Sequence, residues 1–204
     1  MRIGVLSLQG DVREHLRILK SLNIDAIEVK YKEEISSLDG LIIPGGESTA
    51  IGKILRETNL GEYLYNKINS GLCVYGTCAG MVLLAKKIKD SNITHIPVID
   101  IEVSRNAYGR QLSSFIKSHS FKGLKDDFEM VFIRAPYITK ANSNVEVLSI
   151  LDSNIVAAKQ NNILVTSFHP ELTKDTRIHE YFIDMIKNKR WIKRFIFFVL
   201  SFFY

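Results

Sequence analysis

The stretch Leu72-Cys73-Val74-Tyr75-Gly76-Thr77-Cys78-Ala79-Gly80-Met81 constrains this chain more than any other. A short apolar run ends in Gly-x-Cys-x-Gly, and an apolar, helix-compatible run follows. The pattern reads as a strand that turns sharply into a helix and lifts one reactive side chain clear of a sheet. Gly76 and Gly80 flank Cys78 where a Cβ would crowd a tight turn. The turn also puts Cys78 at a helix N-terminus, where the macrodipole favours negative charge. The bland alternative is an inert cysteine buried on an apolar strand.

A second signal lies far downstream. Asn162-Ile163-Leu164-Val165-Thr166-Ser167-Phe168 reads as a buried strand, and His169-Pro170-Glu171 follows at once. A thiol nucleophile needs a base, and the base needs an orienting group on its other ring nitrogen. Two apart in an extended segment, His169 and Glu171 would point the same way, and Pro170 stiffens the pair. Alone, a His-x-Glu is ordinary loop sequence. With a Cys elbow, each just past a strand, it reads as a Cys78-His169-Glu171 triad.

The rest of the chain supplies a sheet for that turn. Arg2 to Leu8, Ile24 to Val29, Gly40 to Ile43 and Leu72 to Tyr75 read as strands. Val12 to Leu22, a segment from about Thr49, Leu60 to Asn69 and Ala79 to Lys86 read as helices between and after them. This order predicts an α/β fold, a mostly parallel central sheet flanked by helices. The middle changes character: Val98 to Val103 and Gln111 to Lys117 read as paired strands around Arg105-Asn106-Ala107-Tyr108-Gly109-Arg110. Met130 to Arg134, Val145 to Leu151, Ile155 to Lys159 and Ile163 to Phe168 read as further strands, and Lys174 to Lys187 as the last helix. In open α/β sheets the chemistry collects at the carboxyl ends of strands. Pro44-Gly45-Gly46, Cys78 and His169 all follow strands.

The 204 residues fit one domain with a substantial core. The expected division is a catalytic domain over residues 1–190 and a basic, apolar tail over 191–204. Only two cysteines occur, Cys73 and Cys78, and the N-terminus reads as a first strand, not a secretory signal. A cytoplasmic location is therefore expected. The net charge of +5 points to no nucleic-acid partner, because Lys187, Lys189, Arg190, Lys193 and Arg194 supply five charges within eight residues. Without them, 22 basic residues balance 22 acidic ones. No basic stripe interleaves with aromatics. The ten apolar-rich residues from Phe195 are too few for a spanning helix, which needs about 20. A membrane-surface anchor is the lesser reading there and packing on the body or on a partner the plainer one; the sequence assigns the tail no role.

Acyl transfer to a thiol needs donors for the developing oxyanion. The Ala79 N–H is one candidate, and Gly46 in Pro44-Gly45-Gly46-Glu47-Ser48-Thr49 offers another. A plain turn capped by Ser48 or Thr49 before a helix is compatible with that role.

At this point the chain resembles a class I glutamine amidotransferase domain with a flavodoxin-like three-layer fold. More narrowly, it resembles the glutaminase subunits of pyridoxal 5′-phosphate synthases. The stretches that carry the resemblance are Leu6-Ser7-Leu8-Gln9-Gly10-Asp11-Val12-Arg13-Glu14-His15, Leu41 to Thr49, Gly76 to Met81, Arg105 to Gln111, Phe132-Ile133-Arg134-Ala135-Pro136 and Thr166 to Leu172. They run in family order over about residues 1–190. The resemblance implies hydrolysis of L-glutamine to glutamate and ammonia, with no metal or cofactor. The ammonia passes to a separate synthase subunit in a large hetero-oligomer that builds the vitamin B6 cofactor. It implies Cys78 as nucleophile, His169 as acid/base and Glu171 as its orienter. Gly46, Glu47 and Ser48 lie on the glutamine site, and Arg105, Ile133 and Arg134 complete it. An arginine suits glutamine's α-carboxylate on chemical grounds as well; the lesser alternative for Arg134 is a structural ion pair at a strand end. The region between Lys86 and Pro97 and the tail after Trp191 depart from the family pattern. Two other readings share the fold: the glutaminase of a different amidotransferase, such as imidazole glycerol phosphate synthase, and a catalytically silent binding domain.

Overall fold

In the computed structural model, residues 1–105 and 114–200 are described, with side chains through residue 191. The first half alternates strand and helix as anticipated: β1 (Arg2–Leu6), α1 (Val12–Ser21), β2 (Asp25–Val29), a short α2 (Lys32–Ile35), β3 (Gly40–Ile43), α3 (Ser48–Glu57), α4 (Leu60–Asn69), β4 (Cys73–Thr77) and α5 (Ala79–Leu84). There follow β5 (Ala85–Ile88), β6 (Ile99–Ser104), β7 (Ser114–His119), β8 (Phe128–Ile133), β9 (Tyr137–Ala141), β10 (Glu146–Leu151), β11 (Asn154–Gln160), β12 (Ile163–Thr166), a 3-10 turn at Pro170–Leu172 and α6 (Arg177–Leu200).

The main sheet runs β2-β1-β3-β4-β12-β11-β9-β6-β5, with β10 on β11. From β2 to β12 every pairing is parallel. Beyond β12 the chain returns through antiparallel pairings, apart from parallel β5 and β6. The inner parallel strands β1, β3, β4 and β12 are buried on both faces, so they read as continuous apolar runs. Alternation still sorts their side chains. Leu41, Ile43 and Val74 face a core shared with α3, α4 and α5. Ile42, Cys73 and Tyr75 face the other core, with Leu16 and Leu19 of α1 and Phe182, Ile183 and Ile186 of α6. Three layers result, and Cys73 is a core residue.

Four expectations need correction. The helix after the elbow stops at Leu84, not Lys86, because Ala85 turns extended (ψ 138°) and β5 pairs with β6. The strands over Val98 to Val103 and Gln111 to Lys117 do not pair with each other. β6 is buried between β5 and β9, whereas β7 pairs with β8 in a separate two-stranded sheet where Phe115 stacks on Phe132. The expected start of that strand at Gln111, and Asn106 to Arg110, lie outside the described residues. β9 went unread, since Thr139 and Lys140 put a polar residue on each of its faces and Pro136 precedes it. Finally, α6 starts at Arg177, not Lys174, and continues past Lys187 to Leu200. Among the described residues, no helix is long and apolar enough to cross a membrane.

Candidate active site

The carboxyl ends of β1, β3, β4, β6, β8 and β12 open onto one cavity of about 720 Å³. At its floor β4 ends and Cys78 adopts φ 47°, ψ −103°, a conformation L-residues avoid, before α5 begins. The strain resides in Cys78 itself. Its flanking glycines serve close packing: a Cβ on Gly76 would come 2.7 Å from the Gly80 carbonyl carbon, and one on Gly80 would strike the Ile43 carbonyl oxygen of β3. The Cys78 N–H donates to Thr166 O at 2.8 Å, which locks the elbow to the end of β12.

The same strand end delivers His169, whose N–H donates to Val131 O of β8 at 2.8 Å. The segment after it is not extended, as the sequence suggested. It winds into the 3-10 turn at Pro170–Leu172, and the turn carries the Glu171 carboxylate back beneath the imidazole. His169 Nδ1 lies 2.8 Å from Glu171 Oε1, with Glu171 fully buried and His169 nearly so. Asp11 Oδ2 lies 3.3 Å from the same nitrogen. Burial opposes the imidazolium, but hydrogen bonds with Asp11, Cys78 and Glu171 outweigh it and push the His169 pKa up to about 12. Burial raises the pKa of Glu171, against the pull of His169.

The loop after β3 forms one wall. Glu47, not Ser48 or Thr49, caps α3: its carboxylate accepts from Thr49 N at 3.0 Å and Ala50 N at 2.7 Å. These bonds hold its pKa below the usual carboxylate range, against some burial. The loop is gripped by the segment after β1, where Gln9 Oε1 accepts from Glu47 N at 2.7 Å and Asp11 N donates to Gly45 O at 3.2 Å.

Cys78, Ala79, His169, Gly46, Glu47, Ser48, Arg105, Ile133 and Arg134, all anticipated, line the cavity; Glu171 lies behind His169. Arg105 reaches Thr49 Oγ1 at 3.4 Å. Arg134 takes φ 44° at the end of β8 and makes no ion pair among the described residues, so a structural pairing there has no support. Asp11 and Thr49 were missed. Asp11 sits where an N-cap is expected, yet it makes no side-chain cap bond to α1 and turns to His169 instead. The cluster of Asp11, His169 and Glu171 could approach a cation geometrically, but the His169–Glu171 bond already uses those atoms.

A strained thiol between a sheet and a helix, a histidine backed by a buried carboxylate and a glycine-rich wall on this fold define a class I glutamine amidotransferase. The chain belongs to the SNO glutamine amidotransferase family, whose model matches residues 5–188. It is 54% identical over 192 residues to the pyridoxal 5′-phosphate synthase subunit PdxT of Clostridium botulinum, covering 93% of this chain and 100% of that one. It is 49% identical over 188 residues to the protein of the same name from Thermotoga maritima, covering 92% and 100%. A crystal structure of a glutamine amidotransferase superposes with a TM-score of 0.87 at 44% identity, over 91% of this chain and 98% of that one. A putative GMP synthase protein from Thermoplasma acidophilum, at 20% identity, TM-score 0.68 and 95% and 98% coverage, shares the fold.

Proposed function

We propose that this chain hydrolyses L-glutamine to L-glutamate and ammonia and delivers the ammonia to a synthase subunit that makes pyridoxal 5′-phosphate. The observation that carries the reading is Cys78, held at φ 47° over a cavity it shares with the His169–Glu171 pair. Cys78 Sγ attacks the carboxamide carbon, and the developing oxyanion takes the N–H groups of Ala79 and Gly46. His169, kept as imidazolium by its carboxylates, protonates the departing nitrogen as ammonia leaves. The remaining thioester is opened by water, whose proton His169 accepts as a base, and glutamate departs with the Cys78 thiolate and the imidazolium restored. Glu171 holds the imidazole in one orientation. Arg105 and Arg134 supply positive charge for the α-carboxylate, while Glu47, Ser48 and Ile133 shape the rest of the glutamine pocket.

The relatives' name, a synthase subunit, supports a partner for this chain, and identity over nearly their full length supports the same acceptor. A large hetero-oligomer, a cytoplasmic setting and a catalytic domain over residues 1–190 complete the reading. The test is ammonia release by the purified chain, alone and with the synthase subunit. Turnover should rise with the partner, since an uncoupled ammonia source wastes glutamine; equal turnover at saturating glutamine overturns the partnership. Cys78→Ala should lower activity by several orders of magnitude, whereas Cys73→Ala should be mild. Labelling of Cys73 instead of Cys78 by a glutamine-like electrophile overturns the site.

A further inference from the structure

Beneath the triad runs a buried polar chain that the reaction as described leaves unused. His15 lies on the apolar stripe of α1 and, like Glu171 and His179, has no exposed surface. Its Nδ1 is 2.9 Å from His179 Nε2 on α6. Its Nε2 is 3.3 Å from Thr77 Oγ1 and 3.5 Å from Glu171 Oε1. Three groups of ring and carboxylate character thus connect α6, α1 and the catalytic turn.

The protons can be placed by chemistry. A buried polar group needs its partner. Were His15 protonated on Nδ1, it would donate to His179 Nε2. The lone pair on its Nε2 would then face the Glu171 carboxylate. His179 would also bury an Nδ1–H that has no partner among the described residues. Reversing both tautomers removes both conflicts. His179 Nε2–H donates to His15 Nδ1, and His15 Nε2–H faces Glu171 Oε1 and Thr77 Oγ1. The unpartnered His179 Nδ1 becomes a bare acceptor, the milder case. Double protonation is disfavoured: burial, then His179 and His169, hold the His15 pKa well below its usual range, and burial lowers that of His179 to about 3. The titratable groups around His15 are Glu171 and His169 in the last loop, Tyr75 on β4, His179 on α6 and, at the N-cap position of α1, Asp11.

Building on the glutaminase reading, we propose that His15 is a positioning residue for this reaction, its Nε2–H steadying the Glu171 oxygen that orients His169, in a tautomer set by His179. At 3.5 Å the contact is electrostatic, shared with Thr77, and not a full hydrogen bond. It still acts in a dry interior, where a dipole aimed at a carboxylate counts. Glu171 Oε2 has no hydrogen-bond partner among the described residues, which leaves Oε1 as the oxygen through which the carboxylate is held.

The test uses the complex formed with the synthase partner. It compares His15→Met, which fills the space without a donor, with His15→Gln, whose amide can return an N–H near the Nε2 position. His15→Met should lower kcat about ten- to a hundredfold with KM within about twofold. Its pH profile should also narrow, because a less steady carboxylate weakens the imidazolium at high pH and its pairing with the thiolate at low pH. His15→Gln should recover most of kcat and the profile. Equal losses in both variants with an unchanged profile would reduce His15 to a packing residue and overturn the proposal. A readout independent of turnover is the ¹⁵N imidazole spectrum of the wild-type chain: His15 protonated on Nε2 supports the proposal, and on Nδ1 refutes it even if the variants fail to fold. A wild-type complex that releases no ammonia would instead overturn the glutaminase reading.

Discussion

At the scale of single residues, strain and reactivity coincide. Cys78 takes φ 47° and ψ −103° without being glycine, and the neighbouring loops hold it there. Such a conformation costs about 1–3 kcal/mol. Glycine would release it, less about 0.5–1 kcal/mol for its own backbone entropy. Cys78→Gly should therefore abolish glutamine hydrolysis yet raise stability by about 1 kcal/mol, or about 2–4 °C in Tm for a chain of this size. Cys78→Ala keeps the strain and should melt close to the wild type; calorimetry showing the two variants equal would remove strain from the account. The nucleophile and its histidine were legible because each follows an apolar strand and carries local punctuation, Gly-x-Cys-x-Gly and His-Pro-Glu. Asp11 and His15 were not. Asp11 occupies a position where a helix cap is the default reading. His15 falls among Val12, Leu16 and Leu19 on an apolar stripe, and nothing local announces that Glu171 and His179 await it across more than 150 residues.

At the scale of elements, what could be read was whatever a segment settles by itself. Parallel β1, β3 and β4 are short apolar runs bounded by turns, and the helices between them imply parallel pairing. The antiparallel half was misread because alternation fixes which face a strand buries, not which strand it pairs with. β6 alternates and joins the main sheet, whereas β7, with Phe115 and Ile116 adjacent, pairs with β8. Loop against loop, the site depends on Gly10. It has φ +111°, and a Cβ there would run into the Gly45 carbonyl oxygen, which accepts from Asp11 N. Gly10→Ala must push the Gly45-Gly46 loop out of place. It should cost about 1–3 kcal/mol of stability and on the order of tenfold or more in kcat, as small displacements near reacting atoms do. Urea titration and steady-state ammonia release would check both, and unchanged turnover would detach that loop from oxyanion binding.

At the scale of the whole molecule, the chemistry gathers at the carboxyl ends of the strands, and α6 reaches the amino ends of β3 and β4. The helix secures itself early: Ile178, Phe182, Ile183 and Ile186 are buried, each worth about 1.5–3 kcal/mol. Beyond them, Lys189 Nζ donates to Gly71 O at 2.8 Å and Arg190 pairs with Asp39 at 3.4 Å, whereas Trp191 is 66% exposed. The sequence placed the end of the domain near residue 190, on the reach of the resemblance and the change of composition after it. A helix that continues to Leu200 shows that a change of composition need not end an element. The dispensable part should therefore be sought after Trp191, so that both anchoring contacts survive. A chain ending at Trp191 should keep partner-stimulated glutamine hydrolysis within about twofold, since each residue assigned to glutamine or to the triad precedes Leu172. Its Tm should shift by no more than a few degrees, because the buried face of α6 is intact. It should also be more soluble, having lost five phenylalanines and a tyrosine from its end. Loss of hydrolysis in this shortened chain, with the fold intact by circular dichroism, would place residues 192–204 inside the working structure.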